Sequence, residues 1–198
     1  MSFWKRLFTN QFIKDILWSI LFIFMLYGLT HNPIVRPIPQ PIPGNWSIQL
    51  MQHPLVFGFA GHNYLVLKDQ NGDIVAELHG LATNALTGTW KYIGTNNTDL
   101  LQVWEFDSSR YYLAEKKFPG ILLHEGNETD TKNLWAKGRA CKDSINTAKL
   151  PYPPLGFSLR NETLNSNSVA YTLSMCMGLD TRHVGLLTPG AQRNLLAR

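Results

Sequence analysis

The sequence predicts an α+β protein: an antiparallel β-meander packed with helices, preceded by one N-terminal transmembrane helix. Three observations carry this. A run without charged side chains extends from Ile16 to Val35. Short aromatic-rich segments, separated by turn residues, fill positions 62–125. Two helical apolar patterns follow, at 130–150 and 168–179.

The chain has 198 residues, of which 44% are hydrophobic and 16% charged. That composition excludes a disordered chain and suits one domain of ordinary size. The net charge of +4 is unevenly placed. Residues 1–36 hold Lys5, Arg6, Lys14 and Arg36 against Asp15, a net +3, whereas residues 37–198 hold 14 basic and 13 acidic groups, a net +1. The body is nearly neutral, which argues against nucleic acid as a partner.

Residues 1–11 read as a cytoplasmic N-terminus and 12–32 as a transmembrane anchor. Twenty uncharged residues can cross a hydrocarbon core of about 30 Å as a helix. Trp18 and Tyr27 lie near the ends of the span, where amphipathic rings prefer the interface. A cleaved signal peptide is the competing reading, but no A-x-A-like site follows the apolar run. Lys5, Arg6 and Lys14 precede the span, so the positive-inside rule expects a single-pass inner-membrane protein with its body on the periplasmic or other extracytoplasmic side. Residues 33–45 then form a Pro-rich linker. Its PIVRPIPQPIP run favours an extended polyproline-type spacer over helix or inner strand.

The body spans 46–198. Within it HNYLVLK (62–68) and IVAELHG (74–80) flank Asn71-Gly72, a strong hairpin signal. With those two residues as the loop, Lys68 opposes Val75, Val66 opposes Glu77 and Tyr64 opposes His79. Further strands are expected at 87–94, 100–107, 110–116 and 121–125, forming a meander. DTKNLWAKGRACKDSINTAKL (130–150) reads as a helix with Trp135, Ala140 and Ile145 on or near its apolar side. The last helix, at 168–179, has Gly178 as its C-cap, and the final twenty residues read as irregular. Cys141 and Cys176 can either pair in an oxidising compartment or remain thiols, with Cys176 in an apolar helical stretch. Neither has metal-site spacing, and no metal or cofactor is expected. Asn45, Asn96, Asn127 and Asn161 open N-x-S/T sequons, which matter only in a eukaryotic source.

The chemistry candidates begin on the hairpin. His62, Tyr64 and Val66 share a face with Glu77 and His79, and His62 lies diagonal to His79 at about 7–8 Å between backbones. Imidazole is the usual general base near neutral pH, and a second polar group commonly orients it. Two satisfied surface histidines are the bland alternative. Asn165, Ser166, Asn167 and Ser168 precede the last helix, and all four are good N-caps. A helix N-terminus can also activate a nucleophile and supply oxyanion donors. Facing a strand histidine, it would make a workable acyl-transfer site.

GHNYLVLKDQNGDIVAELHGLATN followed by NSNSVAYTL resembles the circularly permuted papain-like domains of the lecithin:retinol acyltransferase and NlpC-type groups, over roughly residues 55–180. The resemblance implies a permuted papain-like fold, with His62 as base, His79 as the orienting residue, and Ser166 where those groups carry a nucleophilic cysteine. Ser168 is a second, less well-placed candidate nucleophile. The implied function is a membrane-anchored amide or ester hydrolase or acyltransferase acting on cell-envelope peptide or lipid. Because serine is much the weaker nucleophile, the alternative is a catalytically inactive papain-like module that binds an envelope component or partner protein. An aromatic-rich β domain of unrelated fold, with a scaffold role, is a third reading.

Overall fold

The computed structural model describes residues 14–16, 18–20, 22, 42–55, 60–91, 93–110, 112–113, 118–156, 164–181 and 188–197. The chain divides into two compact units, Met1–Ile34 and Val35–Arg198. In the first unit, positions 14–16, 18–20 and 22 are helical, and Ile16, Trp18, Ile20 and Phe22 are exposed. Among the described residues no helix is long and apolar enough to cross a membrane. The remainder of the expected anchor, and the linker before Ile42, lie outside the described residues.

The second unit is α+β with an antiparallel sheet. Its strands are β1 (Trp46–Leu55), β2 (Ala60–Lys68), β3 (Ile74–Asn84), β4 (Trp90–Lys91), β5 (Asp99–Asp107) and β6 (Gly120–Gly126). Two helices follow, α1 (Glu128–Thr147) and α2 (Ser166–Met177), with a 3-10 turn at Pro154–Gly156 between them. The sheet departs from the expected simple meander. β1 sits between β2 and β6, while β3 pairs with β2, β4 and β5. The sequence reading passes over β1, whose segment WSIQLMQHPL buries polar side chains among apolar ones and so lacks clean alternation. The expected strand at 87–94 shrinks to two residues. That at 110–116 is not a strand at its described positions, because Asp107 holds Ser109 and Arg110 in a turn.

The β2–β3 hairpin keeps the expected pairs, Tyr64 with His79 and Val66 with Glu77, but not the expected turn. Its loop is Gln70-Asn71-Gly72, closed by Asp69 N–H to Asp73 at 2.9 Å and by Gly72 N–H to Asp69 at 3.0 Å. Only Gly72, at φ 83°, takes the left-handed conformation, so this is not the turn with two positive φ angles. The longer loop slips the register by one, pairing Lys68 with Ile74, and a bulge beside Leu67 restores it. The buried alternation, not the turn, sets which side chains share a face.

Alternation divides the sheet into two unlike faces. Ile48, Leu50, Leu65, Leu67, Ala76, Leu78, Ala82, Leu101 and Val103 form one core with both helices. The opposite face gathers Met51, Tyr64, Val66 and Leu113. In α1 the buried positions are Thr131, Trp135, Gly138, Cys141 and Ile145, a stripe at helical spacing, whereas Ala140 is exposed. Gly138 lets the helices meet, since a Cβ there would fall 2.1 Å from the end of Met177. Cys141 and Cys176 are disulfide-bonded, joining α1 to the last turn of α2, with Cα atoms 6.2 Å apart. The alternative of two separate thiols is thereby removed. Gly178, at φ 75°, caps α2 as expected. The described residues 188–197 carry no helix or strand, in keeping with the irregular ending expected.

Candidate functional site

His62 and His79 come together. His62 is the third residue of β2, and it projects from the same face as Tyr64, the cross-strand partner of His79. Beyond that pair no further β2–β3 pairing occurs, although β2 stays paired with β1 through Ala60, His62 lying opposite His53. The His62 Nε2 to His79 Nδ1 distance is 3.0 Å, and the two rings lie within 11° of parallel.

Glu77 extends this pair into a chain. It sits two residues before His79 and therefore on the same face. Its Oε2 lies 2.9 Å from His79 Nε2. The same oxygen accepts backbone N–H groups from Tyr112 at 3.1 Å and Leu113 at 3.2 Å, and Leu113 also reaches Oε1 at 3.3 Å. Glu77 and His79 have no exposed surface, and His62 is 3% exposed. The sequence reading placed Glu77 on this face without giving it a role. An acid two residues before a strand histidine was the available signal.

Aromatic rings enclose the chain. Tyr64 stacks on His79 at 4.4 Å between centroids, and Phe106 and Tyr112 meet the His79 ring in edge contacts at 5.6 and 5.0 Å. Burial holds His62 well below the ordinary imidazole range, and the nearby charges of His79 and His53 act in the same direction. Burial also lowers His79, but the hydrogen bond and charge of Glu77 oppose it. For Glu77 burial pushes upward, yet the bond and charge of His79 and the two backbone donors outweigh it and hold the carboxyl below its ordinary value. Near neutral pH the chain is therefore two neutral imidazoles ending on a carboxylate.

Ser166 is the first residue of α2, and its surroundings differ from those of the rings. The N-cap is Asn165, whose Oδ1 accepts N–H groups from Asn167 at 2.9 Å and Ser168 at 3.4 Å. The Ser168 hydroxyl accepts the Asn165 N–H, completing a capping box. Asn165 Nδ2 donates to the carbonyls of Gly156 and Pro189, each at 3.0 Å. Asn167 accepts the Asn63 backbone N–H at 2.9 Å and donates to Pro189 at 3.3 Å. The Asn-Ser-Asn-Ser motif thus fastens the end of α2 to β2, to the 3-10 turn and to the C-terminal segment. The Ser166 hydroxyl makes no hydrogen bond among the described residues.

The face that receives α2 is marked by Gly80. A Cβ at Gly80 would stand 2.6 Å from Val169 Cβ and 2.9 Å from Ser166 Cα, so only glycine admits the helix at this distance. Gly80 follows His79, and successive strand side chains point to opposite faces. Leu65, Leu78, Val169 and Leu173 accordingly share the helix-side core, while Tyr64 belongs to the other cluster. The body of α2 therefore packs on the helix-side face, while the imidazoles of His62 and His79 meet each other on the face that carries Tyr64. The expectation has the cap before α2 packing against the hairpin, and Ser166 Cα meets the hairpin at Gly80, the residue after His79. Gly80, inside a strand, was the sequence signal for a close backbone approach.

A small pocket beside the cap is lined by Leu50, Asn63, Asn167, Tyr171, Ser174 and Gln192, among others. Among the described residues no three His, Cys, Asp or Glu side chains are grouped as a metal site requires. Comparison of the chain with protein-family models, with curated proteins and with solved structures finds no match.

Proposed function

We propose that the body is a non-catalytic module of permuted papain-like type, anchored through the N-terminal segment and held on the extracytoplasmic side of the membrane. There it binds a cell-envelope component or a partner protein. The observation that carries this reading is at the expected nucleophile position, where Ser166 stands in place of a cysteine and its hydroxyl makes no hydrogen bond among the described residues. The motif that resembles a nucleophile loop is engaged in capping and tethering. The Cys141–Cys176 disulfide supports an oxidising compartment outside the cytoplasm.

A second reading, an amide or ester hydrolase or acyltransferase using Ser166, His62 and His79, is favoured by one specific observation. The Glu77–His79–His62 chain has the base-and-orienter geometry that acyl transfer employs. Labelling of the full-length protein in membranes with a fluorophosphonate probe separates the two. The non-catalytic module shows the same background labelling as Ser166→Ala. Labelling that is lost in both Ser166→Ala and His62→Ala overturns the proposal and restores the hydrolase. Carbonate extraction of the same membranes tests the anchor, which predicts that the protein stays in the pellet.

A further inference from the structure

The Cys141–Cys176 bridge ends in two unlike environments. Cys141 is 4% exposed and belongs to the core cluster, in the middle of α1 between Gly138 and Ile145. Cys176 lies in the last turn of α2 and is exposed, as is its neighbour Met175. The next residue, Met177, is buried again and reaches Gly138. The two helices are thus packed together without enclosing Cys176, so one end of the bridge meets solvent while the protein stays folded.

We propose that Cys176 is a thiol-exchange site, at which a small thiol opens the bridge and is carried as a mixed disulfide, with Cys141 as the leaving and resolving thiol. The thiolate of the small thiol attacks Cys176 Sγ, and the new S–S bond forms as the Cys141–Cys176 bond breaks. The electron pair leaves with Cys141 Sγ, which takes a proton from solvent. Cys141 is thereby reduced to a thiol, and the incoming thiolate is oxidised into the mixed disulfide. In the reverse step Cys141 attacks Cys176, expels the small thiol and restores the bridge.

Access decides which sulfur is attacked. The thiolate must approach in line with the bond it breaks, from the side away from the leaving sulfur. At Cys176 that approach starts at the exposed end of the bridge and points toward the buried one. At Cys141 it would need entry to the cluster that holds Trp135, Ile145 and Leu173. Departure also suits Cys141. As a thiol it fills its place in that cluster like a small apolar side chain, and the Thr172 carbonyl, 3.9 Å from its Sγ, can accept the S–H. A thiolate in such apolar surroundings is disfavoured, so proton capture accompanies the departure.

The test uses the full-length protein in detergent micelles, whose only cysteines are these two. Cys141→Ala leaves Cys176 as a single thiol, and Cys176→Ser leaves Cys141. Each folded variant is treated with glutathione disulfide at neutral pH, and the glutathione adduct is followed by mass. Cys176 should react at least about tenfold faster, because the buried thiol waits for local opening. The two rates should converge in guanidinium chloride. In a second arm the oxidised wild type meets limiting glutathione, is quenched in acid and is alkylated. Peptide mapping should then find glutathione on Cys176 and the alkyl group on Cys141. Comparable rates in the folded variants, or a faster Cys141, overturn the proposal, as does glutathione on Cys141 in the wild type. Should a variant not fold, the wild-type map decides alone, and any result but an adduct on Cys176 counts against the proposal.

Discussion

Cys176→Ser is the most direct probe of how the two helices are held. Cys176 is exposed, so the serine meets water and adds no burial penalty, while Cys141 stays as a buried thiol that packs like a small apolar side chain. The substitution therefore isolates the crosslink. The bonded residues are 35 apart in sequence, for which the chain-entropy model assigns about 4 kcal/mol at 25 °C. For a protein of this size each kcal/mol moves Tm by roughly 2–4 °C, so the variant should melt roughly 8–16 °C lower. Circular dichroism melts of the full-length protein in detergent, with and without reductant, supply the assay. Reduced wild type should converge on the variant, and the variant should be indifferent to reductant. A variant that melts within about 2 °C of the oxidised wild type refutes the reasoning. It would mean that the helix-side packing around Gly138, Met177 and Leu173 already sets the stability alone.

Three further outcomes are expected. Gly80→Ala should destabilise the body by about 1–3 kcal/mol in denaturant melts, because the new methyl meets Val169 and the backbone of Ser166; a neutral result would contradict the packing of α2 on that face. Asn165→Ala should cost at least about 1 kcal/mol through the lost cap, and Ser166→Ala much less, since only Asn165 bonds three neighbouring segments of chain; equal costs would refute the assignment of roles. Stability should fall on acidification. His62 and His79 have folded pKa values below their unfolded ones, so the unfolded chain binds more protons as pH drops through about 6.5. The lowered Glu77 pKa adds a loss of the same sign at still lower pH. A denaturant midpoint at pH 5 equal to or above that at pH 7.5 would sink this prediction.

The face shared by His62, Tyr64, Glu77 and His79 was legible because strand parity depends only on alternation and a bounded loop. The turn type was less legible. Asn71-Gly72 marks a tight turn, but the closing pair Asp69–Asp73 recruits Gln70 into the loop, and the bulge that corrects for it depends on burial in the assembled sheet. β1 was hidden because both its faces are buried, with Ser47, Gln49 and Gln52 among its apolar residues, so no period-2 contrast appears. Which face of the hairpin would receive α2 is a tertiary property. Parity groups the histidines, but only Gly80 hints at where the helix lands, and its meaning depends on Val169 lying opposite. The cap of α2 and its end at Gly178 were legible because capping chemistry is local.

The pairing of β6 with β1 has a consequence for the order of assembly. Trp46 lies opposite Gly126, so the two strands that share this ladder are among the most widely separated in the chain. The β2–β3 hairpin and the β1–β2 ladder need only nearby residues, and they can close as soon as those residues are made. The outer edge of β1 must then wait, with its N–H and C=O groups open, until β3 and β5 have been made and Gly120–Gly126 arrives. Non-local closure of this kind is slow. During that interval the half-built sheet offers any extended segment the same row of hydrogen bonds, and β6 is the strand that finally denies it to others.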